Sequence, residues 1–514
     1  MVARAITMAF EGVDPKRVDV QVQLAPGIAA FIIVGLPDKA VAESRERVRA
    51  ALMAIGLSLP PKRIIVNLAP ADLPKEGSHY DLPIALAIMA ALGVVPKEEL
   101  AKYVVLGELS LDATIAPVAG ILPAAIGANS LGLGLICPQL CGSEAAWASE
   151  DLDLIAPMSL LQIVNHFQGH QVLSRPEPKQ YFDQADIGDL SDIRGQELAK
   201  RALEIAAAGG HNMVMVGPPG SGKTMLASRL PGILPPLSPS ELLDVAMVQS
   251  IAGQIEAGEL SKNRPFRAPH HSASMAAMVG GGIKAKPGEV SLAHKGVLFL
   301  DELPEFSPQV LDSLRQPLED GITVIARANH RVSYPSDVQL IAAMNPCRCG
   351  KAGIPGHHCK RGQRCVDDYM ARLSGPFMDR IDLHVTVGQV MATDLVGKKP
   401  PSEKSEDIRK RVIDARDRQQ MRYKALGLPE GHSNASAPFS IIQENIDIEA
   451  EAEQLLQEAA QRFSLSARAY SRILRIALTL FDLSFQKGQQ AEKPTLLKSH
   501  LAEAIGYRVQ IGSL

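Results

Sequence analysis

The chain has 514 residues, of which 46% are hydrophobic and only 4% aromatic, with a formal charge of −3. That length exceeds what one core organises and predicts roughly three domains. The near-neutral balance excludes a protein that holds a polyanion through its overall field, so such a partner must be gripped by local basic surfaces. The longest apolar run, Leu82 to Val95, falls short of the ~18 residues expected of a spanning helix, and Met1 to Ala5 open no secretory signal. Six cysteines in this length do not make a disulfide framework, so the expected setting is cytoplasmic, with no membrane partner.

Residues 1–168 alternate strand-like and helix-like segments. Val18 to Leu24 has period two, Ala40 to Ile55 has helical spacing with Arg45, Arg47 and Arg49 outward, Ile64 to Leu68 reads as a strand, and Leu82 to Leu92 as a buried helix. From 169 to 189 the apolar pattern lapses and two prolines appear, which predicts a linker. A second α/β region is expected over 190–398. A third, helical and charged, is expected over 399–514, with a loop around Gly427 to Pro438. Its helix from Asp407 to Lys424 carries Arg409, Lys410, Arg411, Arg416, Arg418, Arg422 and Lys424, which fits a solvated face as well as a nucleic-acid contact.

Gly217-Pro218-Pro219-Gly220-Ser221-Gly222-Lys223-Thr224 is a complete phosphate-binding loop between the apolar strand Asn212 to Val216 and a helix beginning at Met225. Glycines there let backbone N–H groups wrap a phosphate at a helix N-terminus. Lys223 is expected to neutralise the β- and γ-phosphates of ATP, and the Thr224 hydroxyl to ligate Mg²⁺. Downstream, Gly296 to Glu302 is an apolar strand ending in two carboxylates: Asp301 for the Mg²⁺ shell, Glu302 to activate a water. Val338 to Asn345 is a further strand ending in a neutral donor suited to orienting that water. Leu373 to Leu383 places Arg380 on a loop before a strand, where a plain ion pair with Asp379 or Asp382 would also account for it.

Between these strands, Gly321 to Tyr334 has two alternating runs flanking Ala328-Asn329-His330, which predicts a β-hairpin with Arg327, His330 and Arg331 near its tip. Those residues can grip a phosphate backbone without reading sequence, or simply be solvated. The segment Arg264 to Gly282, with His270 and His271, is expected to be a second insertion. Metal binding by that histidine pair is disfavoured because adjacent loop residues rarely both ligate and no carboxylate accompanies them. Cys347, Cys349, Cys359 and Cys365 lie within nineteen residues that also hold His357 and His358. Four thiols this close favour a structural, thiolate-ligated Zn²⁺ over disulfides.

The order of phosphate loop, L-F-L-D-E, A-M-N-P and D-R-I-D-L resembles the AAA+ ATPases. R-P-F-R-A-P-H-H-S-A-S (Arg264 to Ser274), the Gly280 to Gly282 loop, Pro287 to Phe306, Gly35 to Leu52 and Ser466 to Ala477 resemble their magnesium-chelatase-like branch, more narrowly the ComM/YifB family, along essentially the whole chain. The resemblance implies an α/β chain of three parts. These are an N-terminal α+β domain like that of Lon protease (ribosomal S5 domain 2-like), an AAA+ P-loop NTPase core and a C-terminal helical lid. In the Lon frame His79 stands where the catalytic serine would be and Ala124 where the lysine would be, so proteolysis is not expected. Lys75, Arg45, Arg47 and Arg49 would then be a DNA-guiding collar or ordinary surface.

The resemblance further implies that Asn345 is the first sensor, that Arg380 is an arginine finger reaching a neighbour's ATP, and that Arg468, ahead of Arg472 and Arg475, is the second sensor. It implies a homo-oligomeric, hexameric ring. The implied activity is ATP hydrolysis coupled to branch migration on single-stranded, forked or branched DNA without sequence preference, during integration of transforming DNA, with recombination proteins as further partners. The alternative is a chelatase-like remodeller of a protein that inserts Mg²⁺ into a porphyrin.

Overall fold

The computed structural model describes residues 2–179, 187–282, 285–326, 331–350, 352, 359, 361–389, 403–485 and 493–509. The N-terminal region is built on a seven-stranded mixed sheet. Its spatial order is Ala30–Val34, Arg63–Ala69, Asp14–Ala25, Val2–Glu11, Tyr103–Val105, Gly134–Ile136 and Leu154–Ile155. Period two explains the long second strand: Val18, Val20 and Val22 are fully buried while Arg17 and Gln21 alternate with them on the other face. Two helices cover the buried face. Lys39–Ala54 begins at Asp38, whose carboxylate accepts from Val41 N at 2.7 Å. Beyond its first residue, Asp81–Ala91 is apolar all round because it is enclosed all round.

The second region is a five-stranded, wholly parallel sheet in the order Phe266–Arg267, Val297–Leu300, Gln339–Met344, Met213–Val216 and Leu383–Thr386. Apart from Gln339 its three inner strands are continuous apolar runs, as helices on both faces require. The remainder is helical: Ser405–Ala425, Phe439–Glu444, Ala450–Arg462, Ala467–Ser484 and Lys498–Val509, with a short parallel pairing of Asp447–Ile448 and Thr495–Leu496. These helices share one core with Glu197–Gly209 and the sheet, joining Ile473 and Ala477 to Leu203 and Met215.

That packing corrects the reading of the basic helix. Arg411 pairs with Glu204 at 2.6 Å and also with Glu403. Arg416 donates to Ala207 O, Arg409 to Gly232 O, Arg418 to Asp482 O and Phe485 O, and Arg422 grips the buried Asp482 carboxylate. Five of the seven basic side chains of this helix are thereby held by acceptors of their own chain. The collar is thinned likewise. Arg47 is not outward but pairs at 2.5 Å with the buried Asp81, and Lys75 is buried with its ammonium on Pro70 O.

The N-terminal region is docked on the parallel-sheet region at two places. Leu122 packs with Leu237, Leu242, Val245 and Ala246, and beside them the buried Glu144 accepts from Ser250 Oγ at 2.6 Å and Leu122 N at 3.1 Å. Elsewhere the turn at Gly12 abuts the strand Arg331–Pro335, with Val13 packed among Ile325, Val332 and Tyr334.

Candidate functional site

The parallel sheet brings the predicted nucleotide residues to one edge. Because the strands run in register, the segments leaving Val216, Leu300 and Met344 all emerge at the carboxyl ends, where open α/β sheets bind ligands. The phosphate loop leaves Val216 and closes at Gly222, the left-handed N-cap of helix Lys223–Ile233. Lys223 Nζ donates to Gly217 O at 2.7 Å, Pro218 O at 2.9 Å and Asn345 Oδ1 at 3.3 Å. Burial holds its pKa below the ordinary lysine value, against the opposing pull of Asp301 and Glu302. Thr224 Oγ1 donates to Asp301 Oδ2 at 2.8 Å, so hydroxyl and carboxylate converge as a shared cation site requires. Ser221 Oγ is buried with no hydrogen-bond partner among the described residues, and it lies inside the loop that would close on a phosphate. Residue types and geometry both fit a nucleotide with Mg²⁺ between Thr224 and Asp301.

Glu302 follows Asp301 with φ 52° and ψ 46°, a left-handed conformation unusual for a side-chain-bearing residue. Its carboxylate is half exposed, 3.4 Å from His271 Nδ1. A distant strand end thus sets beside His271 a carboxylate that the local sequence lacks. His271 was missed as a neighbour of the reacting position, and no local signal could have found it. The insertion reading of Arg264 to Gly282 changes. Phe266–Arg267 is an edge strand of the central sheet, and Arg264 and Arg267 pair with Glu241 and Glu289.

Arg380 and Arg468 lie elsewhere. Arg380 comes three residues before Leu383, which pairs with Met213 at the amino end of the sheet. The phosphate loop leaves the opposite end, a strand length or about 13 Å away at ~3.3 Å per residue. Arg380 donates to Arg315 O at 3.1 Å and Pro376 O at 2.7 Å and pairs with Glu319. Asn212, also unrecognised in the sequence, positions it by donating from Nδ2 to Arg380 O at 3.0 Å while its Oδ1 accepts from Leu340 N. Arg380, Arg468, Arg472 and Arg475 line one 310 Å³ pocket. Arg472 is committed to the buried Asp382, whose carboxyl it and His211 hold well below the usual range despite burial. Arg475 donates to Asn434 O and Ala435 O. Arg468 is exposed, and its guanidinium makes no hydrogen bond among the described residues.

The hairpin forms as expected, Ile322–Ala326 against Arg331–Pro335, with Ala326 opposite Arg331. Arg327 and His330 lie outside the described residues. Arg331 is exposed at the rim of a 360 Å³ cavity shared with Phe10, Glu11 and His79 of the N-terminal region. The four clustered cysteines converge as well. Their sulfurs all lie within 4.8 Å of one another, with Cys347 to Cys349 at 3.2 Å and Cys349 to Cys359 at 3.4 Å. Tetrahedral Zn²⁺ with Zn–S near 2.3 Å sets sulfurs roughly 3.8 Å apart, so the donor set suits that ion. His357 and His358 lie outside the described residues.

A parallel sheet with a phosphate loop, a strand-end carboxylate pair and an Asn at the next strand end defines a P-loop nucleotide-binding protein of the AAA+ class. Family models agree along the chain: residues 189–395 match magnesium chelatase, subunit ChlI; residues 20–140 match subunit ChlI of Mg-chelatase; and residues 402–508 match the subunit ChlI C-terminal region. Competence protein ComM of Haemophilus influenzae is 42% identical over 508 residues, 98% of this chain and 96% of that protein. Protein YifB of Escherichia coli is 40% identical over 506 residues, again 98% and 96%. The magnesium-chelatase 67 kDa subunit of Chlorobaculum parvum is 26% identical over 162 residues, 30% of this chain and 23% of that protein. The chain belongs to the ComM/YifB family of magnesium-chelatase-like AAA+ proteins. No helix among the described residues is long and apolar enough to cross a membrane.

Proposed function

We propose that the chain is an ATP-driven ring motor, cytoplasmic and most simply hexameric, that moves branched DNA during integration of transforming DNA by recombination. Competence protein ComM is the named relative on which that biological role rests. In this reading Lys223 neutralises the transferring phosphoryl group, Glu302 takes the proton of the attacking water, and Asn345 orients that water. Thr224 and Asp301 would hold Mg²⁺, which supplies charge neutralisation at the β- and γ-phosphates.

The observation that carries the reading is the position of Arg380 and Arg468. Both open onto a pocket at the edge of the sheet opposite their own phosphate loop. An arginine that cannot reach its own ATP can complete a neighbour's, and hydrolysis then depends on assembly. Basic residues around the hairpin, Arg327, His330 and Arg331, are the proposed contacts to the DNA backbone.

The same reading divides the chain into a Lon-like domain at 1–168, a linker at 169–189, the AAA+ core at 190–398 and a helical lid at 399–514. At the Lon-like nucleophile segment His79 is buried with Nε2 2.9 Å from Met8 O, and burial pushes its pKa down to about 4. Ser78 Oγ donates to Glu108. Both groups are committed to structure, which supports a domain kept for its shape rather than for proteolysis. Cys347, Cys349, Cys359 and Cys365 would hold a structural Zn²⁺, four thiolates leaving no open position.

Binding to forked and four-way DNA, measured with ATP and Mg²⁺ across a salt series, tests the proposal. Salt-sensitive binding strengthened by ATP is expected. No DNA affinity even at low salt would instead favour a chelatase-like remodeller acting on a protein partner.

A further inference from the structure

The thiol cluster touches each segment that builds the nucleotide site. Cys347 is buried two residues beyond Asn345, the residue that accepts from Lys223. Its turn closes through Gly350 N to Cys347 O at 2.9 Å, and Ala352 N donates to the Cys347 sulfur at 3.3 Å, as backbone amides do around metal-bound thiolates. Gly350 has φ 72° and lies against the phosphate loop: a Cβ there would stand 2.8 Å from Pro219 Cδ and Cγ. Cys365 lies in helix Gln363–Met370, whose Met370 packs both on Cys347 and Cys365 and on the cluster holding Leu303 and Phe306. Just past that helix Arg372 donates to Pro304 O at 2.9 Å and pairs with Glu305 at 2.8 Å, bracing the turn that begins at Glu302. Among the described residues no disulfide or backbone ladder joins the Cys347–Cys349 turn to Cys359 and Cys365.

We propose that a Zn²⁺ held by Cys347, Cys349, Cys359 and Cys365 positions the ATP site by fixing the Asn345 loop, the Pro219 side of the phosphate loop and the Glu302 turn relative to one another. This rests on the reading of Gly217 to Thr224 as the nucleotide site. Four thiols release protons and bind one ion, and no electron is transferred. The metal is a positioning element with no contact to the reacting atoms. Its loss loosens the three loops beyond the strand ends that anchor them, while the sheet and helices persist.

The test uses the full-length protein. Zinc is counted by elemental analysis, then removed with a zinc-selective chelator in excess Mg²⁺ and restored. About one zinc per chain is expected. Depletion should weaken binding of a fluorescent ATP analogue by about tenfold or more, roughly 1.4 kcal/mol, with unchanged far-ultraviolet circular dichroism and recovery on adding Zn²⁺. Absence of zinc with four freely reactive thiols would overturn the site. A depleted, folded protein that binds nucleotide normally would overturn the coupling.

Gly350→Ala separates the two parts of the idea, since it keeps every thiol but presses a methyl onto Pro219. It should retain zinc and lose nucleotide affinity, and normal affinity would refute the contact. If the untreated wild-type protein binds no nucleotide, the phosphate-loop reading fails, and the coupling fails with it for a recognisably different reason.

Discussion

Glu302→Gln isolates the chemical step from nucleotide binding. The substitution keeps volume and backbone while removing the group that takes a proton from water. The carboxylate is half exposed, 3.4 Å from His271 Nδ1, and no Lys or Arg pairs with it among the described residues, so folding should change by no more than about 0.5 kcal/mol. Lys223, Thr224 and Asp301 are untouched, and ATP affinity should stay within about threefold. General-base assistance is worth ~10²–10⁴ in rate, or about 3–5 kcal/mol at 1.36 kcal/mol per decade. Turnover should fall by at least that lower bound.

Phosphate release at saturating ATP, beside equilibrium binding of an ATP analogue, gives both numbers. Turnover within about tenfold of wild type would remove Glu302 from its role, and loss of binding would show that it serves the nucleotide site structurally. Glu302→Gly is the control for the backbone. It relieves a left-handed conformation worth about 1–2 kcal/mol and costs about 0.5–1 kcal/mol of chain entropy. That variant should be equally inactive and no less stable, and its unfolding would contradict the conformation described.

Arg380→Ala should leave nucleotide affinity of the dilute chain unchanged while cutting turnover by ~10³-fold or more. Mixing its subunits with Glu302→Gln subunits should restore part of the rate, and no recovery at any ratio would refute a shared site. Glu144 is buried between the two regions, and burial raises its pKa above the ordinary 4.5. The neutral form is therefore the one folding favours. Its contribution is full below pH 4.5 and is lost as pH rises through the higher folded value. Glu144→Gln, still able to accept from Ser250 and Leu122 N, should flatten that loss. A difference in melting temperature from wild type that is constant with pH would refute this. Gly12 has φ 69°, and a Cβ there would stand 2.2 Å from Ser333 O. Gly12→Ala should loosen the hairpin from the N-terminal region and raise tryptic cleavage after Arg331 without lowering nucleotide affinity; unchanged cleavage would refute the contact.

Much of the nucleotide edge was legible before any fold was known. A phosphate loop, a strand ending in Asp301-Glu302 and a strand ending in Asn345 each carry their meaning within a few consecutive residues, because backbone wrapping and strand ends are local geometry. The strands around Val18, Ile64, Val214 and Phe299 announced themselves through alternation or continuous apolarity. The four clustered cysteines were legible for a related reason, as each thiol lies ten or fewer residues from the next along the chain, close enough for the intervening loop to bring them together.

What depended on pairing across the sheet could not be seen. Register sends Arg380, and the packing of helix Ala467–Ser484 sends Arg468, to the end of the sheet opposite Lys223, while His271 meets Glu302 from thirty-one residues away. Long side chains were the least readable of all. Arg47, Arg411, Arg416 and Arg422 look alike in a basic run, yet each is taken up by a carboxylate or carbonyl from another element. A guanidinium's charge is written in the chain, but its partner is chosen by whichever acceptor the packed helices and strands leave within reach.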